Sequence, residues 1–163
     1  MPEKAKVLIV DDEQIVRDSL SAWLVDEGFE VRTAASGMQA LDLLKQERSD
    51  VVVVDIKMAG MDGITLLRKI KEIGSDIPVI MITAHATIDN AVQSMKDGAY
   101  DYIMKPFPPE KLTNVIRRVV ERQQLLQENL RLQKERKTFL HIAVGVLVNF
   151  IILAIIFYFV FGR

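Results

Sequence analysis

Residues 51–55 read Val-Val-Val-Val-Asp, and this run decides the fold. Four β-branched residues in a row suit a strand, and the lack of polar alternation suits one covered on both faces, as in the middle of a parallel sheet. An acid closing such a strand has no capping duty of its own. Working outward, residues 6–10 (KVLIV), 29–34 (FEVRTA), 77–82 (IPVIMI) and 99–104 (AYDYIM) read as four further strands. The stretches between them have helical period. Val16, Leu20, Trp23 and Leu24 form one apolar stripe, Met38, Leu41 and Leu44 a second, Ile64, Leu67 and Ile70 a third. Ile88, Ala91, Val92 and Met95 form a fourth at i, i+3, i+4, i+7. Gly28, Gly74 and Gly98 follow helical patterns where left-handed caps are expected.

Strand followed by helix, repeated five times, predicts an α/β fold: a parallel sheet with helices on both faces. The length favours a flavodoxin-like, doubly wound sheet in the order 2-1-3-4-5. In that order the first and third strands diverge, and their carboxyl ends frame a crevice.

Composition narrows the chemistry. The 163 residues contain no cysteine, so disulfides and thiolate metal sites are excluded, and two histidines, His85 and His141, are too few for a histidine-based zinc site. A formal net charge of -1 speaks against a basic nucleic-acid binder. No charged segment followed by an apolar one opens the chain, so no cleaved secretory signal is expected.

Chemistry-bearing side chains collect at the carboxyl ends. The first strand runs into Asp11-Asp12-Glu13, the third ends in Asp55, the fourth reaches Thr83 and the fifth precedes Lys105-Pro106. Three carboxylates repel one another unless a cation joins them. Oxygen ligands without His or Cys suit a hard ion such as Mg2+. Asp12 or Glu13 alone could simply start a helix, since acids favour that end. Thr83 alone is an ordinary strand residue, and Lys105 alone an ordinary solvated charge. Their joint placement argues against coincidence.

The segments VLIVDDE (7–13), VVVVDIKMAGMDG (51–63), VIMITAHAT (79–87) and DGAYDYIMKPF (97–107) resemble the receiver domain of bacterial response regulators, most closely the nitrogen-regulatory class. The resemblance covers residue 5 to about 122. It implies that Asp55 is the phosphoacceptor. It also implies that Asp12 binds Mg2+ directly, Asp11 binds it through water, and the backbone carbonyl of Lys57 completes the protein ligands around Asp55. Thr83 and Lys105 would contact the phosphoryl oxygens, Tyr102 would change rotamer on activation, and the Lys105-Pro106 bond would be cis. Such a domain is a phosphoacceptor that assists its own phosphorylation and dephosphorylation, not a turnover enzyme. Its partners would be a histidine kinase or phosphotransfer protein and an unidentified downstream protein. Ala59 stands where the family usually has proline. Lys57 and His85 occupy variable positions that influence phosphate lifetime in the family.

Residues 1–122 are thus expected to form the receiver, 123–138 a helical juxtamembrane linker and 139–161 a transmembrane helix. Leu112, Val115, Ile116, Val119 and Val120 give a fifth helix its apolar face. Leu125, Leu132 and Phe139 recur every seven residues, but their companions are Arg122, Asn129 and Arg136. Both a solvent-exposed continuation and a dimeric coiled coil fit that pattern. Residues 139–161 (FLHIAVGVLVNFIILAIIFYFVF) carry no formal charge and reach the roughly 20 residues needed to cross a bilayer. Arg131, Lys134, Arg136 and Lys137 on the amino side would hold the receiver in the cytoplasm, single-pass at the inner membrane, in contact with anionic lipid. No second helix-turn-helix unit fits between residue 110 and the expected membrane span, so nucleic acid is not expected as a partner. Two functions compete: a membrane-tethered phosphoacceptor signalling to proteins, and a phosphorylation-independent receiver-fold scaffold. A flavodoxin-like cofactor enzyme is disfavoured, since Asp-Asp-Glu after the first strand would repel a phosphate.

Overall fold

The computed structural model describes residues 4–74 and 76–161. In chain order the elements are β1 (Lys6–Val10), α1 (Gln14–Asp26), β2 (Glu30–Ala34), α2 (Gly37–Gln46), β3 (Val51–Asp55), α3 (Gly63–Ile73), β4 (Val79–Thr83), α4 (Ile88–Lys96), β5 (Asp101–Met104) and α5 (Pro109–Phe161). The five strands form one parallel sheet in the order β2-β1-β3-β4-β5, as expected. β4 begins after Pro78, which has no N–H to give to the ladder.

The valine run explains the layering. Val52 and Val54 join Leu8, Val10 and Met81 in a core with Ala40, Leu41 and Leu44 of α2 and Leu66, Leu67 and Ile70 of α3. Val51 and Val53 point the other way, with Val7, Ile9 and Ile82, into a core completed by Leu24 of α1 and Leu112, Val115, Ile116 and Val119 of α5. Each valine is fully buried, so each contributes on the order of 1.5–3 kcal/mol to burial of the sheet.

Trp23 pins α1 to α5: its Nε1 donates to Thr113 Oγ1 at 2.9 Å, and Thr113 is itself buried. Thr113→Val leaves that indole N–H without its acceptor. The expected cost is about 1 kcal/mol, read as a lower urea midpoint by the fluorescence of the chain's one tryptophan; an unchanged midpoint would show that the bond contributes nothing.

Two expectations need correction, and one direction that the sequence left open is fixed. Gly28 and Gly98 take φ of +93° and +91°, but Gly74 lies at φ -157°, in extended backbone. A Cβ at Gly74 would stand 3.0 Å from Ile77 Cδ1, so close approach of that side chain is what glycine allows there. Periodicity leaves the facing of the α4 stripe open, and the structure turns it toward solvent: Ile88 is 84% exposed, Val92 46% and Met95 51%. Ser94 is buried instead, its hydroxyl donating to the Asn90 carbonyl at 2.7 Å.

The second correction concerns the membrane. Among the described residues no helix is long and apolar enough to cross one. The transmembrane helix over 139–161 is therefore withdrawn, and with it the single-pass inner-membrane placement, the juxtamembrane role of 123–138 and the contact with membrane lipid. Residues 122–137 are too rich in charge to take part in a span, and the uncharged run 139–161 falls largely on side chains outside those described. The side chains of 143, 146–148 and 150–161 lie outside the described residues.

The chain divides into two compact units, Met1–Glu121 and Arg122–Arg163. Within the second, the helix is held locally by an Arg131–Glu135 ion pair at 3.0 Å and by Asn129 Nδ2 donating to the Leu125 carbonyl at 2.9 Å. Leu125, Leu126, Leu130 and Leu132 are exposed along it.

Candidate functional site

Register places the acids before any side-chain contact is considered. Val10 pairs with Val54 across β1 and β3, so the next residues, Asp11 and Asp55, stand level at the strand tips. Asp55 in turn pairs with Ile82, one residue short of Thr83, and Thr83 pairs with Met104, one residue before Lys105. The Lys105 amide donates to the Thr83 carbonyl at 2.8 Å, and the Lys105-Pro106 peptide is cis.

Lys105 Nζ sits between two acids, 2.8 Å from Asp11 Oδ2 and 2.8 Å from Asp55 Oδ1. Both acids are nearly sealed, Asp11 at 1% exposure and Asp55 at 5%. Each uses its second oxygen on backbone: Glu13 N–H donates to Asp11 Oδ1 at 2.9 Å and Lys57 N–H to Asp55 Oδ2 at 2.7 Å. Burial pushes the Asp55 carboxyl above the usual carboxylate range, with the Asp11 charge adding to the effect; Lys105 and the Lys57 amide pull it down without cancelling it. Burial acts to lower the Lys105 ammonium, but its bonds to Asp11 and Asp55 outweigh that and hold it above its ordinary value. Two acids sharing one ammonium explain both directions, since the lysine gains two partners and each acid only a share of one.

Asp12 lies elsewhere. Its Oδ2 accepts the Ala59 amide at 2.9 Å, from the loop between β3 and α3. The helix-starting role is not its own: Glu13 is the N-cap of α1 and makes no side-chain capping bond. Among the described residues no group of three or more His, Cys, Asp or Glu is gathered closely enough to hold a metal. Of the three acids, Asp11 and Asp55 meet on Lys105, while Asp12, next to Asp11 in the β1–α1 loop, is bonded to the β3–α3 loop. The donors are nonetheless all oxygens, and two carboxylates exceed the single ammonium between them, a set whose chemistry fits a hard divalent cation.

Thr83 is fully buried, and its Oγ1 accepts the His85 amide at 3.1 Å, which leaves the hydroxyl proton to donate. Tyr102 packs against the α2–α3 core. Its Oη is buried without a hydrogen-bond partner among the described residues; burial raises the phenol's pKa, which the nearby Thr87 backbone only partly offsets.

Three contacts were not anticipated: the amides of Lys57 and Ala59, and Arg17 Nη1 donating to the Asp11 carbonyl at 2.7 Å. Arg17 gives no signal in sequence, because an arginine one turn into a helix usually reaches water.

Gly63 keeps the loop against the strand. Its amide donates to the Ile56 carbonyl at 2.9 Å, and a Cβ there would fall 2.2 Å from the Asp55 carbonyl oxygen and 2.8 Å from Ile56 Cα. Those neighbours are backbone and cannot rotate away. Gly63→Ala is expected to destabilise the first unit by about 3 kcal/mol, measured as a drop in urea midpoint; a midpoint equal to wild type would refute the close packing.

The model of the response regulator receiver domain matches residues 7–117, and the chain belongs to this family. It is 44% identical over 131 residues to the putative response regulator NtrX-like of Rickettsia bellii, covering 79% of this chain and 27% of that protein. It is 39% identical over 134 residues to the C4-dicarboxylate transport transcriptional regulatory protein DctD of Rhizobium meliloti, covering 82% and 29%. Among solved structures, a receiver domain protein from Clostridium thermocellum superposes with a TM-score of 0.72 at 36% identity, covering 75% of this chain and 98% of that one. The receiver domain of NtrX from Brucella abortus gives 0.68 at 40% identity, covering 71% and 98%. The chain spans less than a third of the length of these curated relatives.

Proposed function

We propose that this chain accepts a phosphoryl group on Asp55 from the phosphohistidine of a histidine kinase or phosphotransfer protein, and that the modified domain signals to a protein partner. The observation that carries the reading is the Lys105 ammonium held at 2.8 Å from both Asp11 and Asp55 at the level strand tips. Asp55 is the nucleophile: one carboxylate oxygen forms the P–O bond, the P–N bond to imidazole breaks, and the imidazole leaves with its electron pair. Such a transfer needs positioning and charge neutralisation more than covalent help. Lys105, released from carboxylate oxygens, faces the phosphoryl oxygens, and the Thr83 hydroxyl donates to them. Asp11, Asp12, Asp55 and the Lys57 carbonyl would hold Mg2+. Bound there, it would supply positive charge against the repulsion between the acid and the incoming group. The product is an acyl phosphate that water can cleave, so the domain does not turn over a substrate as an enzyme does.

The output surface is proposed on α4 and β5. The exposed apolar side chains of α4, Ile88, Val92 and Met95, face solvent beside no core, as a partner surface requires. Tyr102, whose buried hydroxyl has no close hydrogen-bond partner among the described residues, lies on β5, where a shift of Thr83 toward new oxygens would reach it.

The test is uptake from phosphoramidate, a donor with the P–N bond of phosphohistidine. With Mg2+ the chain is expected to take up one phosphoryl group that hydroxylamine removes, as it does from acyl phosphates. No uptake, or a hydroxylamine-resistant product, would leave the receiver fold acting as a phosphorylation-independent scaffold.

A further inference from the structure

Asp12 is bonded away from the two acids it was expected to join. The bond from the Ala59 amide to Asp12 Oδ2 crosses from the β3–α3 loop to the β1–α1 loop at 2.9 Å, while Asp11 and Asp55 meet on Lys105. Consistent with this, no three acids are gathered into a metal-holding group among the described residues. Asp12 has no capping duty in α1, since the helix takes Glu13 as its N-cap. The donor is main chain, so any residue at 59 supplies it except proline, which has no N–H.

The geometry points to a latch: the Ala59 amide holds the Asp12 carboxylate on the β3–α3 loop, and a divalent cation joins the acidic cluster only by drawing Asp12 off that amide. This rests on the functional reading above, in which Asp12 is a cation ligand. A charged acceptor gives up a directional bond when the ion arrives, so the latch weakens cation binding relative to a chain lacking the donor. It also ties cation occupancy to the loop that carries Lys57, Ala59 and Gly60, immediately after the nucleophile. Loading the site therefore releases an amide in that loop.

Two measurements on the full chain, with Mg2+ alone as the probe, test this. The first is hydrogen exchange of the Ala59 amide, followed by NMR. Protection is expected without Mg2+, with exchange about tenfold faster at saturating Mg2+, the scale of losing a bond to a charged acceptor. The second is calorimetric titration of variants. Ala59→Pro, which places the family's usual residue at this position, is expected to bind Mg2+ roughly five- to tenfold more tightly, and Ala59→Ser, which keeps the N–H, to match wild type. An Ala59 amide equally protected with and without saturating Mg2+ would overturn the latch, because Asp12 would then ligate through its other oxygen. An Ala59→Pro variant that melts like wild type yet binds Mg2+ no more tightly would overturn it too. In either case Mg2+ binding itself would leave the functional reading standing. If neither wild type nor Ala59→Pro takes up Mg2+, both fall together. Should Ala59→Pro fail to fold, the exchange measurement decides alone.

Discussion

Asp55→Asn is expected to reduce phosphoryl uptake to background while making the first unit more stable at neutral pH. The loss follows from removing the nucleophilic oxygen. The gain follows from the raised pKa of Asp55, which burial and the Asp11 charge produce despite Lys105. A carboxyl whose folded pKa lies above its unfolded value binds more protons folded than unfolded, so the stability it contributes is fully present below the unfolded pKa and is lost as pH rises through the folded one. Wild type therefore carries a penalty at pH 7 that the neutral amide removes. The melting-temperature advantage of Asp55→Asn should shrink on acidification and vanish once Asp55 is protonated in both states. A variant that melts lower than wild type at pH 7 would show that the Lys105 bond to Asp55 outweighs burial.

Lys105→Met has the second-largest expected effect, and its sign is opposite. The methionine retains the apolar stem but removes the ammonium from between two nearly sealed acids. Truncating one partner of a buried ionic cluster typically costs about 3–5 kcal/mol, and because the Lys105 side chain keeps 20% exposure the lower end applies. The loss should be largest at neutral pH and recede in mild acid, where protonation of Asp55 relieves the repulsion. Uptake should fall about 10²-fold, the usual effect of removing one preorganised charge at a reacting oxygen. Urea unfolding at two pH values checks the first claim: a pH-independent loss would mean that lysine packing, not its charge, supports the site.

The sheet was legible because its signal is local. An unalternated valine run has one physical solution, a strand with a core on each face, and the two cores divide Val51–Val54 by parity. Asp11, Asp55 and Lys105 were legible as well, since strand ends are the only places where a parallel sheet delivers residues to one edge. The α4 stripe was legible only as a stripe, not in its direction. Periodicity says that Ile88, Val92 and Met95 share a face, not that the face points inward, and Ser94 can be buried because the Asn90 carbonyl takes its proton. The Asp12–Ala59 bond was invisible because its donor is backbone, which residue identity does not reveal. The membrane reading rested on the apolar composition of 139–161 alone, and no helix among the described residues is long and apolar enough to span a bilayer.

The most direct test of the central claim is chemical trapping of the phosphorylated residue. The full chain is charged with phosphoramidate and Mg2+ and reduced with borohydride, which converts an aspartyl phosphate to homoserine, and the product is digested and sequenced by mass spectrometry. The account predicts homoserine at position 55 and at no other acid. Homoserine at Asp11 or Asp12, or a phosphoryl group retained on a serine, threonine or histidine, would contradict it.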